Sequence, residues 1–362
     1  MAERSRVLLQ VCANDHPPFA DICLFHEAAA RTLGWQPLTV MLERRAAVPS
    51  PGFHYLDAPP GGDAAALRAF ARTHLAASDP RLLLCHRYRA WRAAAAAVPG
   101  PLVALAHEFG LLDRRRRRWQ LRWDAWRRAR TVTLAGVSPA VAAELAARTG
   151  RPVEVLPNGL DLARADAARL DRPAARAALG VAGEAFCIGV IGRLHPKKRP
   201  ELAVDAFRQA LPTLGDARLL LIGDGELRAA LTRRARGLPV TLTGFVADAA
   251  RCLPALDLLL LTSGEREAFA MVALEAMAAG VPVLHAAAPG PDFVVGDPAR
   301  RVDPGTVAGL AAALTAAADA WRAGRLAAAA AAARQRAENT FSVAAGAARL
   351  SHLAAGIGSA TA

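Results

Sequence analysis

The chain has 362 residues, is 53% apolar but only 5% aromatic, and carries a net charge of +13. That length exceeds one ordinary core and implies two domains, packed largely from Ala, Leu and Val. Its apolar runs stay below the roughly 18 residues of a membrane span, and five scattered cysteines with no Cys-x-x-Cys exclude a disulfide framework or a zinc site.

From Met1 to Gln10 the chain passes from charges straight into a strand pattern, without the apolar centre of a signal peptide, so a cytoplasmic location is expected. Strand patterns follow at Val7–Val11, Leu38–Leu42, Leu82–Cys85, Leu102–Ala106, Thr131–Gly136 and Val153–Leu156. Helical patterns lie between them at about 23–33, 63–77, 113–128 and 138–149. The rhythm restarts with strands at Phe186–Ile191, Arg218–Ile222, Val240–Thr243, Leu256–Leu261 and Pro282–Leu284. Helices are expected near 199–211, 225–236, 270–279 and 306–335, the last including an Ala-rich tract at 323–334. Alternation of this kind predicts parallel sheets covered by helices on both faces. The fold class is therefore α/β, two doubly wound Rossmann-like domains, with the joint inside 160–184.

Lys197 and Lys198 are the only lysines against 43 arginines, so this pair says more than any single arginine does. It sits in Gly192-Arg193-Leu194-His195-Pro196-Lys197-Lys198, directly after the first strand of the second half. Gly192 allows close backbone approach, and Arg193 with Lys198 would converge on a phosphate pair. Asp224-Gly225-Glu226 resembles a carboxylate cluster, but its place after a strand reads as a turn opening a helix. With no Asp-x-Asp in the chain, no bound metal is required. Gly244-Phe245-Val246 ends the next strand and suits either a base slotted against backbone or a packing loop.

Two glutamates lie eight positions apart in Glu267-Ala268-Phe269-Ala270-Met271-Val272-Ala273-Leu274-Glu275. Glu267 would stand in the loop after a strand and Glu275 inside the following helix. In open α/β sheets ligands bind at that edge, and two acceptor-only groups there suit hydroxyl-bearing ligands. The N–H groups of Met271 and Val272, at the start of the helix, make a phosphate site. In the first half His107 and His86 occupy strand ends on the same edge. Asp113–Arg130 carries nine arginines, with Trp119, Trp123 and Trp126 on one helical face. That face reads either as core-docking or as an interfacial helix on an anionic membrane; no nucleic-acid motif accompanies it.

Taken together, Gly192-Arg193 with Lys198, then Gly244-Phe245-Val246, then Glu267 to Glu275, resemble a family 4 retaining glycosyltransferase of GT-B architecture. Val137-Ser138-Pro139, Val155 to Asp161 and Phe341-Ser342 extend the resemblance over roughly 80–350. It implies two Rossmann-like domains facing a cleft. The domains would be 1–165 for the acceptor and 166–340 for the nucleotide-sugar, with 341–362 a helix returning to the first. It further implies a nucleotide-sugar donor, UDP-linked, with no cofactor and no metal. Arg193 and Lys198 would neutralise the diphosphate, Glu275 would hold the ribose, Glu267 would contact the sugar, and His107 would lie beside its reactive face. Gly192, Gly244, Phe245, Val246, Phe269, Ala270, Met271 and Val272 would line the donor.

The chain departs from the family pattern at two places. The usual Glu-Gly-Phe-Gly is Glu267-Ala268-Phe269-Ala270, which leaves the donor sugar open. The N-terminal glycine-rich loop is replaced by Asn14-Asp15-His16-Pro17-Pro18-Phe19-Ala20-Asp21. His16, Asp21 and His86 are the expected acceptor contacts. The arginine excess points to a glycan or glycolipid acceptor, of lipopolysaccharide-core type, at the inner face of a membrane. An epimerase or hydrolase of the same fold, or a non-catalytic sugar-binding protein, are the competing readings.

Overall fold

A computed structural model of the chain describes residues 6–75, 81–111, 115–119, 123 and 132–359. The chain divides into two compact units, Met1–Asp161 with Phe341–Ala362, and Leu162–Thr340.

The first unit is built on seven strands: β1 (Val7–Cys12), β2 (Gln36–Met41), β3 (Phe53–Tyr55), β4 (Arg81–His86), β5 (Leu102–Ala106), β6 (Val132–Gly136) and β7 (Val153–Val155). Their order is β3-β2-β1-β4-β5-β6-β7, and every pairing is parallel. β1 is buried along its whole length, which is why it reads as a continuous apolar run rather than an alternation. It pairs with β4 so that Cys12 lies opposite His86. Because β1 leads outward to β2 while β4 lies on its other side, the loops after β1 and β4 diverge and leave a crevice.

The second unit repeats the plan with β8 (Phe186–Ile191), β9 (Ala217–Ile222), β10 (Val240–Gly244), β11 (Leu258–Leu261), β12 (Val283–Ala286) and β13 (Arg301–Val302). Here the parallel order is β10-β9-β8-β11-β12-β13, with the switch between β8 and β11. Phe186, Ile188, Phe207, Leu219, Leu258 and Leu314 belong to one buried cluster that joins the sheet to its covering helices. The loop after β8 carries the lysine pair, and the loop after β11 carries Glu267 and leads into the helix bearing Glu275, so topology brings these two motifs together.

The last helix, Val343–Ser359, belongs to the first unit and packs on helix Phe19–Thr32. A Cβ on Gly159 or Gly346 would stand 2.2 or 2.5 Å from the Phe25 ring, so the ring is seated where both residues lack side chains. Leu160 N–H donates to Phe341 O at 2.9 Å and ties the end of the first segment to the start of this helix.

The break between units falls at Asp161/Leu162: helix Leu162–Ala168 joins the second unit, where Asp166 pairs with Arg334 at 2.8 Å. Several elements differ from the sequence-based expectation. The expected helix at 306–335 is two, Val307–Arg322 and Leu326–Phe341, separated by a turn in which Arg325 N–H returns to Ala320 O at 2.8 Å. β11 begins at Leu258 because a 3₁₀ stretch over Ala249–Ala255 consumes the preceding residues. The expected helix at 225–236 shortens to Arg228–Arg234. Helix Arg87–Ala97 and the short edge strands β3 and β13 were not evident in the pattern.

Candidate active site

In the second unit, β8 is followed by Gly192 and the exposed Arg193. His195 caps a one-turn 3₁₀ helix, Pro196–Lys198, its Nδ1 accepting from Lys197 N at 3.1 Å. Arg199 then adopts φ +47° before Pro200 opens the next helix. This left-handed turn aims the Arg199 guanidinium across the switch, where it donates to Thr262 O at 2.7 Å and Ser263 O at 3.1 Å. Thr262 Oγ1 returns a bond to Lys198 O at 2.8 Å. The two loops are therefore laced together through backbone carbonyls, leaving the Lys198 head free to turn inward. There it forms an ion pair with Glu267 Oε2. Both partners are partly solvated, so the pair contributes little to stability; its importance is the placement of a cation and a carboxylate at one point.

Glu267 is held by its own backbone: its N–H bonds Gly264 O at 3.0 Å and its carbonyl accepts from Gly290 N–H at 2.9 Å. A Cβ on Gly290 would lie 2.5 Å from Phe269 N and 2.6 Å from Glu267 O, so only glycine admits the loop this close. Phe269 is buried against Phe293 and acts as the loop's anchor. Ala270 has φ +63° and precedes helix Met271–Ala278, whose half-buried first residues Met271 and Val272 expose the helix N-terminus. The first turn of any helix has N–H groups without intrahelical partners, and the helix dipole adds a positive end there. Glu275 lies one turn further in, half-buried. At the end of the edge strand β10, beyond β9, Gly244 is buried beneath the Arg228 guanidinium, Val246 is half-buried and Phe245 is 81% exposed.

In the first unit the ligand edge is occupied by uncharged imidazoles. His86, wholly buried at the end of β4, lies between Gln10 and His107: His86 Nδ1 is 3.1 Å from His107 Nε2, and His86 Nε2 is 3.2 Å from Gln10 Oε1. Burial holds the His86 pKa well below its usual value, with His107 and His26 adding repulsion. Burial likewise takes His107 down to about 3 and His26 to about 4. The Phe19 ring meets His107 edge-on at 5.1 Å, and Arg87 lies over Phe19. His86 is thus a support behind His107 rather than an exposed contact. His16 is exposed, its Nδ1 2.9 Å from Pro17 O, and Asp21 is exposed in the first turn of helix Phe19–Thr32. Asp15 is the buried acid of this loop, accepting from Arg45 N at 2.7 Å and Ala46 N at 2.9 Å.

Of the Arg/Trp stretch, the described part is helical at 115–119 and 123. Trp119 and Trp123 are 67% and 45% exposed and stack on each other at 5.7 Å. They do not dock into the core; Trp126 lies outside the described residues.

Residues 26–164 match the family model described as Glycosyltransferase Family 4, and residues 185–319 match the one described as Glycosyl transferases group 1. One match lies on each half of the chain. The protein belongs to the family 4 glycosyltransferases. Among curated relatives, this glycosyltransferase is similar to a GDP-mannose-dependent alpha-(1-6)-phosphatidylinositol dimannoside mannosyltransferase of Mycobacterium tuberculosis, 40% identical over 96 residues. That match covers 26% of this chain and 25% of the relative. The 2-deoxystreptamine glucosyltransferase of Streptomyces kanamyceticus is 33% identical over 200 residues, 52% of this chain and 51% of that protein. The chain thus matches a quarter to about half of the length of these relatives.

Among solved structures, HepE of Anabaena in complex with UDP and glucose superposes with a TM-score of 0.72 at 22% identity, covering 97% of this chain and 99% of that one. WaaG, a glycosyltransferase involved in lipopolysaccharide biosynthesis, gives 0.66 at 17% identity, covering 91% and 95%. These likenesses fix the GT-B fold. Within the glycosyltransferase, sequence reasoning found the lysine and glutamate motifs but missed Gln10, Arg199, Arg228 and Gly290. Each matters through a contact distant in sequence; only Arg199, next to the lysine pair, had a local signal.

Proposed function

We propose that this glycosyltransferase moves a hexose from a UDP-linked donor to a hydroxyl of a membrane-associated glycan, retaining anomeric configuration without a metal. The observation that carries the reading is the convergence, at one sheet switch, of Lys198, Glu267 and the N-terminus of helix Met271–Ala278. A cation and a helix N-terminus suit a diphosphate, and two carboxylates flanking them suit the hydroxyls of ribose and sugar.

In this reading Arg193 and Lys198 take up the charge that develops as the C1–O bond to the diphosphate breaks. The nucleoside diphosphate leaves with the bonding electrons, the acceptor oxygen bonds C1 on the same face, and its proton passes to the departing phosphate oxygen. Glu275 holds the ribose, Glu267 the sugar and His107 the side of the ring, with no protein nucleophile. Gly244, Phe245 and Val246 would receive the base. The acceptor would meet the first unit near His16 and Asp21. The lipopolysaccharide role named for WaaG and the phosphatidylinositol mannoside named for the mycobacterial relative favour a lipid-linked acceptor. Arg115 to Arg118 beside the exposed Trp119 and Trp123 would rest on an anionic surface. Among the described residues no helix is long and apolar enough to cross a membrane.

GDP-mannose is the second donor reading, favoured by the mannosyltransferase relative. A thermal-shift panel of UDP- and GDP-hexoses with EDTA present, followed by NMR of the product's anomeric proton, tests both. Stabilisation by one donor and an α-linked product from an α-linked donor are expected. An inverted product, or turnover that stops with EDTA, contradicts the proposed mechanism.

A further inference from the structure

The buried groups behind His107 form one hydrogen-bonded line whose proton positions are fixed by chemistry. Cys23 O can only accept, and Gln10 Nε2 lies 3.0 Å from it, so that atom is the amide nitrogen. Its second hydrogen goes to Thr39 Oγ1 at 3.0 Å, and Thr39 donates to Glu27 Oε1 at 2.6 Å. Arg31 donates to the other oxygen of Glu27 at 2.7 Å and keeps it an acceptor. Gln10 can therefore offer only its Oε1 to His86, which requires the hydrogen of His86 to be on Nε2. His86 Nδ1 is then a lone pair, and the 3.1 Å contact requires His107 to donate from Nε2. In a neutral ring this leaves His107 Nδ1 as an acceptor, shielded from water and without a hydrogen-bond partner among the described residues. A shielded acceptor is costly unless a donor reaches it.

We propose that Gln10 and His86 are positioning residues that lock His107 in its Nε2–H tautomer, so that it presents an acceptor lone pair at Nδ1 to a hydroxyl of the transferred sugar. The lock rests on the reading of His107 given above. It makes the first unit's contribution a hydrogen-bond acceptor of fixed direction. The tautomer of an imidazole is set by the bond its far nitrogen makes, and here that bond is set in turn by an amide anchored on a backbone carbonyl. Burial supports the neutral state throughout the line.

The test is long-range ¹⁵N NMR of the full chain labelled at histidine, together with transfer kinetics. In the wild type, His107 and His86 should both carry the proton on Nε2. Gln10→Met should mix the His107 tautomers and lower kcat about tenfold, with a smaller change in donor KM. If Gln10→Met does not fold, His86→Leu against His86→Asn replaces it: Asn keeps an acceptor toward His107 and should restore the tautomer and part of kcat. A wild-type His107 protonated on Nδ1 overturns the lock, as do tautomer and kcat unchanged in the folded variants. Absence of transfer with the Nε2–H tautomer intact would refute the glycosyl-transfer role of His107 and leave the lock standing.

Discussion

The two units solve the same topological problem with opposite chemistry. Each leaves a crevice where its parallel sheet reverses order. The second unit fills the loops there with charge, Lys198 against Glu267, laced by Arg199 to backbone carbonyls. The first unit places neutral imidazoles at its edge, holds the Glu27 carboxylate behind Gln10 and Thr39, and leaves the adjoining ion pair, Arg87 with Glu108, largely in solvent. A leaving diphosphate needs cations and helix N–H groups, which tolerate solvent. A hydroxyl needs only a well-aimed acceptor, and aim comes from burial.

The largest effect should follow from removing the cation of the charged crevice. Lys198→Ala is expected to lower kcat/KM by about 10²–10³ if the ammonium stabilises the leaving group, with folding unchanged because the ion pair is partly solvated. Unchanged kinetics would remove Lys198 from the site.

Acid should separate the two units. His26, His86 and His107 have folded pKa values held below the ordinary 6.5, two of them at about 4 and about 3. Such groups stay neutral in the fold while the unfolded chain takes up protons. Their contribution is complete above pH 6.5 and is lost as pH falls from 6.5 toward the folded values. At pH 5 each costs at most about 2 kcal/mol. The second unit has one comparable histidine, His285, also lowered by burial. Hydrogen exchange at pH 7 and 5, corrected for intrinsic rates, should show β1, β4 and β5 losing protection before β8 and β9. Equal losses would mean that the histidine line is not a distinguishing weakness.

A smaller effect is expected from Glu267→Gln. It frees Lys198 for phosphate, so nucleotide diphosphate should bind a few-fold tighter, about 1 kcal/mol, while transfer falls. Weaker binding would place Glu267 on the nucleotide instead.

The smallest concerns the two alanines that stand where the family pattern has glycine. Only Ala270 has positive φ, +63°. Ala270→Gly should raise stability by about 0.5–1 kcal/mol, whereas Ala268→Gly should lower it by a similar amount through unfolded-state entropy. Thermal unfolding reads both; the same sign for both would contradict the backbone assignment.

The contrast between crevices also explains what was legible in sequence. Strand cadence and the charged loops could be read because each signal is local: an apolar run, then a lysine pair or a glutamate. The lysine and glutamate motifs that meet at the second crevice were therefore both visible in sequence. Gly290 was not, because its constraint comes from a loop twenty residues earlier, packed against it. Gln10 was hidden inside an apolar strand, its role created by partners at Cys23, Thr39 and His86. The expected single helix over 306–335 ignored how readily a Gly inside an alanine tract ends one helix and lets another begin. The tryptophan stripe has the spacing of a core face, yet Trp119 and Trp123 lie in the open; periodicity reports a shared face without reporting what covers it.

The proposed convergence of phosphate and ribose contacts at the β8–β11 switch is tested most directly by calorimetric titration of UDP and GDP into the wild type and Glu275→Ala. One nucleotide should bind the wild type, and Glu275→Ala should weaken it by about 1.5–3 kcal/mol through loss of the ribose bonds. Wild-type affinity retained in Glu275→Ala, or no nucleotide bound at all, would contradict the account.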